Sequence, residues 1–347
     1  MEIWSEQTIK DFRRTLLDWY NQEGRANLPW RVNHEPYRVL VSEIMLQQTQ
    51  VDTVLPYYER FMSDLPTVQD LAYAPEAQVL KLWEGLGYYS RARNLQKAAK
   101  FIVEELHGHW PESSDDLQEL PGVGPYTSAA IASISFDEVV PAVDGNAYRV
   151  FSRLLKIDAD IANTKSRHIF YDAILPIVDP VHPGDFNQAI MDLGSSYMTA
   201  KNPDSSHSPV RSFNAAFRDN VEANFPVKTK KQKPIKQQYI AIISEKDGQL
   251  LFEQRPDTGL LAGFWTFPLM PINSIDDIEG QQLNIKPIIH VFTHRRWEIW
   301  LVKQKVDHME AEITNHWKRF HCNAHVHQVL SLNLPLSVIL LVKHVGY

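Results

Sequence analysis

Pro121-Gly122-Val123-Gly124 is a tight turn of the kind glycine makes possible, tolerating positive φ and letting another backbone come close. It runs into a small-residue helical stretch, Tyr126 to Ser135, in which Ala129, Ala130 and Ala132 leave room for a close neighbour. A turn opening onto a helix N-terminus presents free N–H groups, and phosphate is the anion that suits them. A helix connection needing Gly for geometry alone would look the same. Two carboxyls stand out in the sequence, one of them after this turn. Asp144 lies in Val143-Asp144-Gly145-Asn146, just before a helical pattern of Tyr148, Val150, Phe151, Leu154 and Leu155. A lone Asp there is ordinarily an N-cap. What sets this one apart is that it follows a phosphate grip and has apolar flanks, Val140, Pro141 and Val143. Glu43 has Val39, Leu40 and Leu46 as its i−4, i−3 and i+3 neighbours on a helix. Such a carboxyl is partly buried, and desolvation raises its pKa. On pattern alone, a Glu at the rim of an amphipathic face is the favoured reading.

The elements that must position these groups are mostly helical. Phe12, Leu16, Leu17 and Tyr20 recur at helical spacing after Ser5, a cap residue. A loop with Leu28-Pro29-Trp30-Arg31 precedes the Glu43 helix, read from Tyr37 to about Gln48 and closing in the polar run Gln47 to Gln50. Helical patterns continue through Val51–Phe61, Val79–Leu82 and Ala92–Leu106. Between the last two sits Gly85-Leu86-Gly87-Tyr88-Tyr89 with Arg91 and Arg93, a set that suits contact with bases and phosphates and is also what a packed turn would show. After Leu155 the pattern predicts helix to about Phe225. Lys228, Lys230, Lys231, Lys233 and Lys236 then mark a solvated, extended linker. From Gln238 the period changes to that of strands. Tyr239–Ser244 and Gln249–Gln254 flank a Lys246-Asp247-Gly248 turn. A second hairpin joins Pro287–Phe292 to Trp297–Val306, and a helix is expected near Ala311–Phe320.

Bulk composition bounds the answer. At 347 residues, 44% hydrophobic and 22% charged, the chain suits a soluble protein of two domains. A net charge of −7 counts against a nucleic-acid partner unless local patches supply the basic surface. One cysteine, Cys322, excludes an internal disulfide framework and fits a reducing cytoplasm. The N-terminus lacks a basic-then-apolar signal, and the longest late apolar run, Leu334 to Val342, is too short to span a bilayer. His316, His321, His325 and His327 near Cys322 form no metal-ligand pattern.

Leu120-Pro121-Gly122-Val123-Gly124-Pro125-Tyr126 followed by Val143-Asp144-Gly145-Asn146 resembles the helix-hairpin-helix and catalytic Asp of the endonuclease III superfamily of DNA glycosylases, and within it the adenine glycosylases. The similarity runs from about Trp4 to the C-terminus and is stronger before residue 226. It implies a multidomain protein. An all-α glycosylase domain over 1–225, with its helix-hairpin-helix at about 115–135, precedes a basic linker over 226–237. A smaller α/β Nudix-like domain follows over 238–347. The implied activity is DNA repair: flipping and excising adenine mispaired with 8-oxoguanine or guanine by hydrolysis of the N-glycosidic bond. The implied partner is double-stranded DNA, bound by a monomeric protein of the bacterial cytoplasm and nucleoid, without a membrane.

Cleaving such a bond requires that the leaving base be protonated and the sugar cation be stabilised, tasks for two carboxyls of opposite protonation state. The resemblance makes Glu43 the acid that protonates adenine N7 and Asp144 the ionised partner, with Tyr126 and Asn146 orienting them. Trp30, Arg31, Leu46 and Val51 match positions lining the adenine pocket, and Gln188 matches one that sees the base edge. Gln48 and Tyr88, with Thr49 and Leu86 beside them, match the wedge that enters the duplex. Gly122, Val123 and Gly124 match the hairpin that holds the DNA backbone. Phe292-Thr293-His294 resembles the loop that senses 8-oxoguanine, with Thr where the family has Ser. Asp276, Asp277 and Glu279 do not make a Nudix metal-binding helix, so recognition rather than diphosphate hydrolysis is expected there.

One departure is large. The family holds a [4Fe–4S] cluster on four cysteines, and the corresponding positions here are Met198, Ser205, Ser208 and Asn214. Such a cluster needs thiolates, so no cofactor is expected. Two other readings compete. A bifunctional endonuclease III-like glycosylase/lyase needs an amine nucleophile, which the family places where this chain has the phenol of Tyr126. A non-catalytic helix-hairpin-helix DNA-binding protein would have lost a carboxyl, and both are present.

Overall fold

The computed structural model describes residues 1–229, 234–246, 249–256, 258–260, 265–272, 281–282, 286–292, 294–305 and 317–321. Asp276, Asp277, Glu279, Thr293, His316, Cys322, His325, His327 and the run Leu334 to Val342 lie outside the described residues. The chain divides into two units, Met1–Lys231 and Gln232–Tyr347.

The first unit is helical and holds two hydrophobic cores. Helix Glu6–Glu23 starts at Ser5, whose hydroxyl accepts from the Thr8 N–H, and buries the expected stripe of Phe12, Leu16 and Tyr20. Phe12 meets Phe151, Phe186 and Phe213 edge-on at 5.4–6.4 Å between ring centroids, joining this helix to Gly145–Leu154 and Pro183–Ser196 in one core. Helices Pro36–Leu46 and Pro125–Ser135 belong to the other. Both are buried nearly all round: Val39 to Met45 on the first, Thr127 to Ile134 on the second. A helix buried on every face carries its polar residues into the interior with it, which is how Glu43 comes to be inside. The chain passes from one core to the other between Ala142 and Val143, so Asp144 stands at the seam.

The hairpin before helix Pro125–Ser135 is compact. Its first arm, Ser114–Leu117, is a single turn capped by Ser113. Gly122 closes the turn at φ +80°, where a side chain would be strained and its Cβ would lie 2.6 Å from that of Asn94.

Three sequence expectations need correction. The helical pattern expected from Leu155 to Phe225 ends at Ser196; only single turns follow, at Arg211–Phe213, Ala215–Arg218 and Glu222–Asn224. Pro203 and Pro209 interrupt any longer helix there, and Asn202, Asp204, Ser205 and Ser206 favour turns. The linker expected over 226–237 is largely taken up at its ends. The Ile161 N–H donates to the Val227 carbonyl and Thr229 donates to Asp160, while a strand already begins at Ile235. The helix expected near Ala311–Phe320 gives way to strand Trp317–His321, because the backbone of Gln249–Gln254 offers it a ladder from Gln249↔His321 to Glu253↔Trp317; residues 311–316 lie outside the described residues.

The described part of the second unit is a mixed sheet. Its central strand, Ile235–Lys246, runs parallel to Arg295–Lys305 and antiparallel to Gln249–Gln254 and Leu269–Ile272. The first expected hairpin is present in the Lys246↔Gln249 register, and the second pairs Ile288–Val291 with Arg295–Lys305. Ile240, Ala241, Ile243, Phe252, Phe267, Leu301 and Val302 form its interior. Among the described residues no helix is long and apolar enough to cross a membrane.

Candidate active site

Glu43 is buried, 6% exposed, and its Oε2 accepts a 2.8 Å hydrogen bond from the Tyr126 hydroxyl. Burial pushes its pKa up to about 7; the Tyr126 bond and Arg31 pull the other way, and the charge of Asp144 adds to the rise. Burial, with Glu43 and Asp144 close by, also drives the Tyr126 phenol well above the ordinary tyrosine range. Tyr126 is therefore a donor at neutral pH. It occupies one oxygen of Glu43 and leaves the other to carry a proton.

Asp144 differs in its partners. Its residue surface is partly open, yet its carboxyl is enclosed enough for burial to raise its pKa. Against that, Oδ1 accepts from the backbone N–H groups of Asn146 and Ala147, both at 2.8 Å, and Oδ2 accepts from Asn146 Nδ2 at 2.6 Å. Arg149 adds positive charge. Asp144 is thus the N-cap that its sequence position suggests and also a carboxylate with three N–H donors. Glu43 has none. The two carboxyls sense one another and burial raises both, but among the described residues only Asp144 has N–H donors to set against it.

Asn146 is itself held. Arg149 donates to its Oδ1 and to the carbonyls of Gly194 (2.9 Å) and Met198 (3.1 Å). Gly194 packs so closely that a Cβ there would lie 2.5 Å from the Asn146 Cβ. Helix Pro183–Ser196 thus packs directly on Asn146, with no room for a side chain at position 194.

The same helix brings in Gln188, 2% exposed, whose Oε1 accepts from Tyr20 at 3.4 Å. Its Nε2 is buried without a hydrogen-bond partner among the described residues. One turn on, Asp192 pairs with the buried Arg31 (2.8 and 3.0 Å) and with Arg25 (2.9 Å). Burial opposes both charges, but the contact outweighs it, holding Asp192 below the usual carboxylate range and Arg31 firmly protonated. Trp30 meets Tyr58 edge-on at 5.1 Å, and Leu46, Val51 and Tyr126 are partly buried against the same core. Arg31 is tied up in an ion pair rather than free.

Gln48 and Tyr88 are both exposed, and both have left-handed backbone, φ +58° and +46°. Leu86 is buried and Thr49 half-buried beside them. Arg91, read as a possible phosphate contact, is instead buried and donates to backbone carbonyls, among them those of Ile44 and Leu86. In the second unit Phe292 is half-buried between His290 and Trp297, and His294 is exposed; Thr293 lies outside the described residues.

Met198, Ser205, Ser208 and Asn214 do converge, and all four are buried. Asn214 Nδ2 donates to Ser205 Oγ (3.0 Å) and to Glu222 (3.1 Å), Ser205 also donates to Glu222, and Met198 Sδ lies 3.8 and 3.9 Å from the two. A thioether, a hydroxyl and an amide already in contact with one another, with the Ser208 hydroxyl buried and without a hydrogen-bond partner among the described residues, are the wrong donors for an iron–sulfur cluster. Arg153 donates to the Met198 and Thr199 carbonyls and anchors the start of this segment on the Asp144 helix.

Asp192, Arg25, Arg149 and Glu222 were missed in the sequence. For Asp192 there was a signal, an acidic residue in the apolar stripe of Phe186, Ala189, Ile190 and Leu193.

A helical hairpin followed by a capped Asp, packed against a buried Glu, defines a base-excision fold. Residues 41–174 match the HhH-GPD superfamily of base excision DNA repair proteins, and residues 239–335 match the NUDIX domain. A thermostable thymine-DNA glycosylase shares the fold of the first unit, with a TM-score of 0.54 and 24% identity over 61% of this chain and 98% of that one. The chain belongs to the adenine DNA glycosylase family. It is 37% identical to the adenine DNA glycosylase of Mus musculus, over 92% of this chain and 76% of that protein. It is 32% identical to that of Buchnera aphidicola subsp. Baizongia pistaciae, over 95% of each.

Gly194→Ala should push Asn146 off Asp144 and slow adenine release at single turnover by about tenfold or more, because small displacements of positioned groups are costly. Duplex affinity should be unchanged. Parent-like release in G194A would show that Asn146 need not stay where it is.

Proposed function

We propose that this glycosylase excises adenine from A·8-oxoguanine and A·G pairs as a monofunctional hydrolase, with Glu43 as general acid and Asp144 as the stabilising carboxylate. The observation that carries this reading is the opposite dressing of the two carboxyls: Glu43 desolvated beside one phenol, Asp144 holding three N–H donors. In this account Glu43 gives its proton to N7, the C1′–N9 bond breaks with its electrons going to the base, and Asp144 stabilises the oxocarbenium ion electrostatically or as a covalent acetal. Water then attacks C1′, and its proton returns to Glu43. The free Nε2 of Gln188 is suited to an acceptor on the flipped base. Trp30, Leu46 and Val51 supply the apolar wall, and Arg31, neutralised by Asp192, shapes the pocket without adding net charge. Gln48 and Tyr88, with Thr49 and Leu86, enter the duplex, while Gly122, Val123 and Gly124 grip its backbone. The Phe292–His294 loop reads the opposing base.

The working form of Glu43 is the protonated one. Release should therefore fall by about tenfold per unit above about pH 7, the value to which burial raises this group, and should also fall in acid as Asp144, whose carboxylate burial disfavours, takes up a proton. Glu43→Gln and Asp144→Asn should each lower release by on the order of 10³-fold with duplex binding largely retained. Substantial cleavage by both variants would remove the assignment.

A base-release assay on duplexes with adenine opposite 8-oxoguanine, guanine, cytosine and thymine tests the substrate. Release should be confined to the first two, without efficient strand scission, and borohydride should trap little adduct because Tyr126 cannot form an imine. His294→Ala should erode the preference for 8-oxoguanine over guanine. Efficient trapping would restore the lyase reading.

We further propose that the protein works without iron. The hydrogen-bonded group of Ser205, Asn214 and Glu222 orders the segment that the family wraps around its cluster. Protein purified anaerobically should be colourless and contain no stoichiometric iron. A brown preparation that loses activity on chelation would contradict this.

A further inference from the structure

Helix Pro36–Leu46 ends without a capping glycine, and its last carbonyls have no partner within the helix. Arg91 supplies one from elsewhere in the chain. Its Nη1 lies 3.0 Å from the Ile44 and Met45 carbonyls and 2.5 Å from that of Gln47. Its Nη2 lies 3.1 Å from the Leu86 carbonyl, 3.3 Å from that of Gly87 and 3.4 Å from Thr49 Oγ1. The guanidinium is buried and touches only neutral acceptors, so its charge is spent on backbone dipoles of two separate segments. Those segments end in the same way. Gln47 leads into Gln48 and Gly87 into Tyr88, two exposed residues in left-handed backbone that non-glycine side chains seldom adopt. Such strain persists only where the surroundings over-determine it. Arg91 also lies over the Tyr88 ring, 5.6 Å from its centroid.

We infer that Arg91 is a positioning residue for base flipping: one buried guanidinium locks Gln48 and Tyr88 together so that they enter the duplex as a single wedge. The inference rests on the proposed role of those two side chains. Because Arg91 acts through them, its loss should matter only where a stacked pair must be opened.

The test measures single-turnover adenine release by the full chain on two duplexes, one with adenine opposite guanine and one with adenine opposite an abasic-site analogue, where no opposing base has to be displaced. Each variant is referred to the parent on the same duplex. Arg91→Lys keeps a charge but cannot span both sets of carbonyls. It should release adenine about tenfold or more slowly opposite guanine and within about threefold of the parent opposite the abasic analogue, with a matching loss of 2-aminopurine fluorescence gain on binding. Equal slowing on both duplexes, or parent-like release on both while Gln48→Ala and Tyr88→Ala are slow, would overturn the role of Arg91. If Gln48→Ala and Tyr88→Ala are themselves parent-like, the wedge reading fails instead. Should Arg91→Lys not fold, the exposed pair decides. A single wedge requires the Gln48→Ala/Tyr88→Ala double variant to lose little more than the worse single one, whereas losses that multiply would show two independent fingers and reject the proposal.

Discussion

A carboxyl that stays protonated near neutral pH needs to be kept from water, and the first unit is arranged around that requirement at Glu43. The helix that carries it is buried from Val39 to Met45, packed against the hairpin helix, so the acid has only the Tyr126 hydroxyl for company. Proximity to Arg31 would undo this, since an unpaired guanidinium would favour the carboxylate. The Asp192 ion pair offsets Arg31, whose pull on Glu43 stays smaller than the push of burial. Asp144, one core over, has the opposite surroundings. Its helix start, Asn146 and Arg149 all offer positive dipole or charge. Two identical functional groups are thus separated by environment alone.

What could be read in the sequence was whatever leaves a local, periodic trace. The Phe12–Leu16–Tyr20 stripe, the glycine turn at Gly122 and the Asp144 cap all depend on neighbours within a few residues, and each stands where the pattern places it. The burial of Glu43 was only half legible, since Val39, Leu40 and Leu46 flank it on one turn but would flank a Glu at the rim of an amphipathic face as well. Partners distant in sequence were not. Arg31 meets Asp192 across 161 residues, and Arg91 reaches back 47 residues to Ile44 for a carbonyl that no side-chain pattern advertises. The same blindness misread Arg91 as a phosphate contact and carried helix past Ser196, where arginines and a hydrogen-bonded group of polar side chains hold turns instead.

That group also shows what orders the segment after Ser196. Met198 meets Ser205 and Asn214, these two bond the carboxylate of Glu222, and Arg149 and Arg153 hold the Met198 carbonyl against the Asp144 helix. Neutral donors bonded to one another cost little to bury, whereas unpaired ones would cost about 1–3 kcal/mol each. Segment and Asp144 helix are therefore one packed unit.

The central claim is that the two carboxyls differ in protonation at neutral pH, and infrared difference spectroscopy of the full chain as pH is raised addresses it directly. The account predicts one protonated-carboxyl band that disappears with a midpoint near pH 7, is absent in Glu43→Gln and persists in Asp144→Asn. A band that survives in Glu43→Gln and vanishes in Asp144→Asn would reverse the roles of the two groups and contradict the account.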